Sequence, residues 1–166
     1  MLIGCTVFEG VMMGPLDWAF LPLQRYATFH GRAPRAEYWW FWLLQMALTI
    51  VTRAIDGLLG LGVPGSPIST SLMVGLALFV PSLAVTVRRL HDINRSGWTV
   101  LVYAVMTAVA AMLGVALSLV MGPFGIVLMA IGVAAVSIKF IVLMASEGSR
   151  GDNGYGGNPY GLTYGY

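Results

Sequence analysis

Charged residues are scarce in this chain. They make up 10 % of its 166 residues, against 58 % hydrophobic residues, and the mean hydropathy is +0.81. Soluble domains carry about a quarter charged residues, and a soluble fold could not bury so much apolar surface. Most of the chain is therefore predicted to lie in lipid. The net charge of +2 is too small to predict binding to nucleic acid.

Cysteine and histidine are also rare. The single cysteine, Cys5, excludes an intramolecular disulfide and a zinc site built from several cysteines. The two histidines, His30 and His91, offer only weak support for a metal site without a cysteine partner. We therefore predict neither a cofactor nor a metal.

Four long apolar runs are present, and each is long enough to cross a bilayer, because about 20 helical residues cover a hydrocarbon core of about 30 Å. They predict transmembrane helices at about residues 38–59, 68–87, 98–120 and 126–145. Pro81 is expected to kink the second span and to free a backbone carbonyl. The predicted fold class is an all-α, integral membrane four-transmembrane-helix bundle.

A short interfacial segment is predicted before the first span, within a lead-in that covers residues 12–37. It is too short to cross the membrane, and Pro22 is expected to interrupt any helix in it. Trp18 and Tyr26 are expected at the depth of the lipid headgroups, where amphipathic rings are favoured.

The two ends of the chain carry weaker patterns. Residues 1–11 show no strong periodicity, and the pair Met12-Met13, followed by Gly-Pro-Leu-Asp-Trp, looks like a more natural start than Met1. The tail, residues 146–166, is rich in Gly, Tyr and Asn and lacks the apolar content for a core of its own. We expect an ordered turn that fades into a flexible end.

Arginines are concentrated on one side of the predicted spans. An even number of spans places both termini together, on the side that carries Arg25, Arg32, Arg35, Arg88, Arg89, Arg95 and Arg150. The two opposite loops contain no Lys or Arg. By the positive-inside rule, both termini and the polar stretch Arg88–Trp98 are predicted to be cytoplasmic.

Two charged residues, Arg53 and Asp56, lie away from the arginine-rich side, in the last two turns of the first predicted span. They lie three residues apart and so on one helix face. An unpaired charge at mid-bilayer costs about 2.5–3.5 kcal/mol, and less near an interface. The two side chains are predicted to pair, either at the interface or as a functional intramembrane pair.

Three blocks of the sequence together resemble a known family. They read GRAPRAEYWWFWLL, VRRLHDINRSGW and GSRGDNGYGGNP. In order and spacing they resemble the small bacterial inner-membrane proteins of domain-of-unknown-function family 805, over about residues 18–159. The resemblance implies a four-span protein of the bacterial inner membrane and supplies no established activity. Ile93-Asn94 and Gly157-Asn158 depart from the family's usual pairs at those positions.

The polar residues of these blocks are predicted to meet at the cytoplasmic face. The candidates are Arg32, Arg35, Glu37, Arg88, Arg89, His91, Asp92, Arg95 and Asn153. Because arginine pairs bidentately with carboxylates, Glu37 and Asp92 are expected to hold the arginines in place. The patch then either locks the fold or binds anionic lipid headgroups or phosphate groups.

The predicted function is a structural or accessory role in the membrane. The expected partners are membrane lipids, anionic ones included, and either further copies of the chain or other membrane proteins. An oligomeric transporter or channel for small solutes or ions is the alternative, because four short spans offer little polar lining for a monomeric pore. We predict no enzymatic activity; an acid–base pair of His91 and Asp92 is a weaker alternative, since adjacent residues do not face each other.

Overall fold

The computed structural model describes residues 6–8, 11–61 and 69–159. Two short antiparallel strands come first, β1 (Thr6–Phe8) and β2 (Val11–Met13). Five helices follow: α1 (Pro15–Gln24), α2 (Arg35–Leu59), α3 (Thr70–Asp92), α4 (Trp98–Met121) and α5 (Pro123–Ala145). Cys5, residues 62–68 between the first two spans, and the tail end at 160–166 lie outside the described residues.

Helices α2 to α5 are the four predicted spans. Each has 23 to 25 residues and is apolar enough to cross a membrane. At 1.5 Å per residue, helices of this length measure about 35 Å, which exceeds the hydrocarbon core of about 30 Å. The all-helical membrane architecture with four spans is confirmed.

Helix α3 runs further than predicted. The second span was expected to end near residue 87, with Arg88–Trp98 as a loop, but the helix continues to Asp92. Arg89 and Asp92, three residues apart on one helix face, form an ion pair that adds to the stability of this last turn. The charged residues are thus held on a rigid element, and only residues 93–97 form the connection to α4.

Helix α1 corrects two expectations about the interfacial segment. The helix continues past Pro22, which falls in its last turn and therefore removes only the hydrogen bond to the carbonyl four residues earlier. Trp18 is only 2 % exposed, because α1 packs against α2 and α3. Trp18 is therefore a core residue and not an anchor at headgroup depth.

The expected effect of Pro81 on its helix is visible in one hydrogen bond. Proline has no N–H, so the carbonyl of Ala77, four residues earlier in α3, loses its usual helical donor. The hydroxyl of Tyr26 donates to that carbonyl instead. The connection between α1 and α2 is thereby tied to the middle of α3.

The spans pair in chain order into two helical hairpins. α2 packs along α3, and α4 packs along α5. In the second hairpin, a Cβ added at Gly114 would overlap Met129, and one added at Gly125 would overlap the backbone of Ser118. Such close approach is how membrane helices gain packing energy. α3 and α4 make little contact with each other, and a groove separates them.

Candidate functional site

Most charged residues lie at one end of the helices, where α2 and α4 begin and α3 and α5 end. We call this end the arginine-rich face. Five side chains there are almost fully buried, and we call them the ion-pair cluster: Arg32, Glu37, Arg88, Arg89 and Asp92. Buried charges are costly unless they are paired and hydrogen-bonded, so their partners decide what the site can do.

Asp92, at the end of α3, is the centre of the ion-pair cluster. Its Oδ1 accepts a hydrogen bond from Arg32 Nε at 3.0 Å, and Arg32 Nη2 lies 3.0 Å from the same oxygen. Its Oδ2 accepts from Arg89 Nη1. One carboxylate therefore neutralises two guanidinium groups, one from the segment before α2 and one from its own helix.

The remaining donors of these two arginines are directed at backbone carbonyls near the end of the chain. Arg32 donates to the carbonyls of Ser149, at 2.6 Å, and Gly151, at 2.7 Å. Arg89 donates to the carbonyls of Met144, at 3.0 Å, and Ser146. The arginines thus fasten the end of α5 and the following residues to α3.

The same distant segments cap the end of α3. The last carbonyls of a helix have no partner within it. Asn153 Nδ2 donates to the carbonyl of His91 at 2.9 Å, and the backbone N–H of Ser149 donates to that of Asp92 at 2.8 Å. From the other side, the N–H of Ala33 donates to the carbonyl of Arg88 at 3.0 Å. Two distant parts of the chain, the segment before α2 and the segment after α5, therefore converge on one helix end.

Glu37 and Arg88 form a second buried pair, and Arg25 also lies within electrostatic range of Glu37. Arg88 Nη1 lies 2.7 Å from Glu37 Oε1, and both side chains are buried. Among the described residues, none of the three guanidinium nitrogens has a hydrogen bond of good geometry. The ion pair joins α2 to α3. Within the described part of the chain, Arg88 lacks the backbone carbonyl acceptors that Arg32 and Arg89 have.

His91 and Asp92 do not form an acid–base pair. The imidazole of His91 stacks on Tyr155 with ring centroids 4.0 Å apart and planes 5° from parallel. His91 Nδ1 lies 3.1 Å from the carbonyl oxygen of Gly31, while the carboxylate of Asp92 faces the two arginines. The arrangement holds the tail against α3 and leaves no proton-transfer contact between the two side chains.

Two predicted arginines lie outside the ion-pair cluster. The side chain of Arg35 is 43 % exposed, and its Nη2 lies 3.5 Å from Glu147 Oε1. Arg95 is exposed in the connection between α3 and α4. The predicted single patch is therefore divided into a buried group, whose charges are paired within the protein, and an exposed group on the surface.

The predicted pair of Arg53 and Asp56 is not formed. Asp56 is buried, and its carboxylate accepts hydrogen bonds from the backbone N–H groups of Thr70, at 2.7 Å, and Ser71, at 3.0 Å. It caps the start of α3, whose first N–H groups have no partner within the helix. Arg53 is exposed and makes no ion pair with any described residue. A transport role for this pair stays a prediction.

Sequence reasoning missed the part played by residues 146–159. The described part of the predicted tail folds against α3, and a flexible end beyond it stays a prediction. Gly148 packs so closely there that an added Cβ would overlap the Asp92 carboxylate. Most acceptors in this segment are backbone carbonyls, and every residue type carries one, so composition gives no signal for them. The signals in the sequence were Asn153 and the block GSRGDNGYGGNP, and neither identifies these carbonyls.

Comparison with known proteins places this geometry in a family. Residues 26–157 match the model of the family described as "Protein of unknown function (DUF805)". The chain belongs to this family. It is 33 % identical to the inner membrane protein YhaI of Escherichia coli strain K12 over 145 residues, which are 87 % of this chain and 96 % of YhaI. It is 38 % identical to the inner membrane protein YhaH of the same strain over 90 residues, or 54 % of this chain and 74 % of YhaH. No solved structure matches the chain significantly.

The DUF805 match confirms the resemblance expected from the three sequence blocks. It covers the whole ion-pair cluster and Asn153, as well as the four spans. The names of YhaI and YhaH give a location, the inner membrane, and no reaction.

Proposed function

We propose that this DUF805 protein is a structural or accessory protein of the bacterial inner membrane, without enzymatic activity. The observation that carries the proposal is the ion-pair cluster, whose buried charges are directed at one another or at backbone carbonyls. The groups that would bind or transform a substrate are thus engaged within the chain. Their arrangement favours a role in holding the helical hairpins and the tail together.

The proposed orientation has the arginine-rich face and both termini in the cytoplasm. Seven arginines lie at or near that face, and Lys139 lies six residues before the end of α5. Arg53 is the only basic residue near the opposite end among those described. Such an imbalance favours the cytoplasmic side. Reporter fusions after residues 65 and 94 test the proposal, and an external reporter at 94 would refute it.

The exposed arginines are proposed to contact anionic lipid headgroups. Arg35 and Arg150 share Glu147, at 3.5 and 3.7 Å, so the group of three carries a net positive charge, and Arg95 adds another. A basic residue near an anionic surface contributes about 1 kcal/mol of attraction. The membrane itself is thus the proposed partner of this face.

The test measures stability against lipid composition. We would reconstitute the protein in phosphatidylcholine vesicles with increasing phosphatidylglycerol and measure thermal unfolding. Stability is expected to rise with the anionic fraction, and the rise is expected to shrink in Arg35→Gln/Arg150→Gln and at 0.5 M salt, which screens exposed charges. No dependence on phosphatidylglycerol would contradict the headgroup proposal. Ion flux into the vesicles would contradict the structural role and support the oligomeric channel.

A further inference from the structure

We infer that the groove between α3 and α4 binds one anionic phospholipid, with an acyl chain in the groove and the phosphate beside Arg95. The inference rests on the proposed function and deepens it, because it assigns one lipid to a defined site. The groove has a volume of about 760 Å³, within the range of ligand pockets. Its apolar walls include Phe29, Phe79, Leu83, Val87, Trp98 and Leu101.

The depth of the groove fits one lipid leaflet. Along α3 its lining extends from His91 to Phe79, and along α4 from Trp98 to Ala104. Twelve residues of helix correspond to about 18 Å, whereas half of the hydrocarbon core is about 15 Å. The α3 wall of the groove is therefore about as long as one lipid leaflet is thick, whereas the α4 wall, at six residues, covers about 9 Å. A spanning helix of another protein would need a surface of about 30 Å, so the shape favours an acyl chain.

The mouth of the groove carries the chemistry that recognises a phosphate. Ser96 is a lining residue of the groove. Arg95, which precedes Ser96 in the sequence, is exposed and makes no ion pair with any described residue. His30, beside the wall residue Phe29, is also exposed. The nearest carboxylate in the sequence, that of Asp92, is buried and already paired with two arginines.

The start of α4 adds to this charge. The amino-terminal end of a helix carries a partial positive charge that favours anions, and α4 begins at Trp98, in the wall of the groove. Basic and polar groups at the mouth thus complement a negatively charged headgroup, while the interior complements a hydrocarbon chain. An amphiphile with an anionic head matches both parts.

The inference can be tested by native mass spectrometry of protein exchanged into an equal mixture of phosphatidylcholine and phosphatidylglycerol. Wild-type protein is expected to retain one phosphatidylglycerol. Arg95→Gln removes the proposed phosphate contact, and Ala104→Trp fills the groove. Each is expected to lower retention at least fivefold. The matched controls are Arg53→Gln, at an exposed arginine near the opposite end of the helices, and Ala108→Trp, one turn further along α4, and both should retain the lipid.

Several results would overturn the inference. One is that Ala104→Trp and Ala108→Trp retain phosphatidylglycerol equally well. Another is that the wild-type protein retains phosphatidylcholine as well as phosphatidylglycerol. A third is that a second copy of the protein occupies the groove in place of lipid. Retention of free glycerol phosphate in detergent without lipid would show that the headgroup alone is bound, which also contradicts the acyl-chain site. If vesicle stability still rises with phosphatidylglycerol while Ala104→Trp retains the lipid, the proposed function stands and the groove site falls.

Discussion

Replacement of Asp92 by asparagine is the most direct test of the ion-pair cluster. The substitution keeps the size of the side chain and removes its charge. Arg32 and Arg89, which are 6 % and 0 % exposed, would then lack a counter-charge in the interior. Their hydrogen bonds to tail carbonyls would remain, but a carbonyl carries no full charge to balance a guanidinium group.

The size of the effect follows from burial. Removal of one partner from a buried ion pair costs about 3–5 kcal/mol, and here one carboxylate serves two cations. The surviving carbonyl contacts reduce the loss, so we expect a decrease of about 4 kcal/mol in the free energy of unfolding, by the same buried-pair comparison. Since about 1.4 kcal/mol corresponds to a tenfold change, the folded population would fall by nearly three orders of magnitude relative to the unfolded one.

The measurement is a reversible unfolding titration in mixed micelles, with tryptophan fluorescence as the signal. Glu147→Gln is the matched control, because it also neutralises one carboxylate that contacts two arginines, but at 69 % exposure. Exposed pairs contribute about 0–1 kcal/mol. A loss below about 1 kcal/mol for Asp92→Asn, close to that of the control and far under the cost of opening a buried pair, would refute the reasoning.

Three further predictions use the same titration. Gly148→Ala places a methyl group against a buried carboxylate and should lower the free energy of unfolding by at least the value of about 1–3 kcal/mol that is typical of overpacking. The control Gly151→Ala has open space around the added methyl group and should change stability little. Equal losses of stability in the two variants would contradict the observed packing of Gly148. Glu37→Gln should lower the free energy of unfolding by about 3–5 kcal/mol. The double change Glu37→Leu/Arg88→Met should recover most of this loss, because the buried atoms of the pair lack hydrogen bonds among the described residues and such a pair is replaceable by apolar residues. A double variant as unstable as Glu37→Gln would disprove this. Tyr155→Ala removes the ring stacked on His91. It should lower the free energy of unfolding by about 0.5–1.5 kcal/mol more than the loss of buried apolar surface alone. If the loss is no larger than that of Tyr155→Leu, stacking contributes nothing.

The case of Arg53 and Asp56 shows why spacing alone misled. Two residues three apart on a helix can form an ion pair. An unpaired charge in lipid is costly, and for this reason an ion pair between Arg53 and Asp56 was predicted. Asp56 instead bonds to the start of α3, fourteen and fifteen residues further along the chain. Those N–H groups need an acceptor wherever the helix begins. Which partner lies within reach is a property of the folded chain.

The amino-acid sequence by itself determined the four spans, their approximate limits and the concentration of arginines at one end, because length, hydropathy and charge are local properties. Only the tertiary structure decided which arginines are buried. Arg32 and Arg35 are three residues apart, yet one pairs with Asp92 in the interior and the other with exposed Glu147. The difference comes from carboxylates and backbone carbonyls more than 50 residues away, and no local pattern predicts which of these distant atoms will meet.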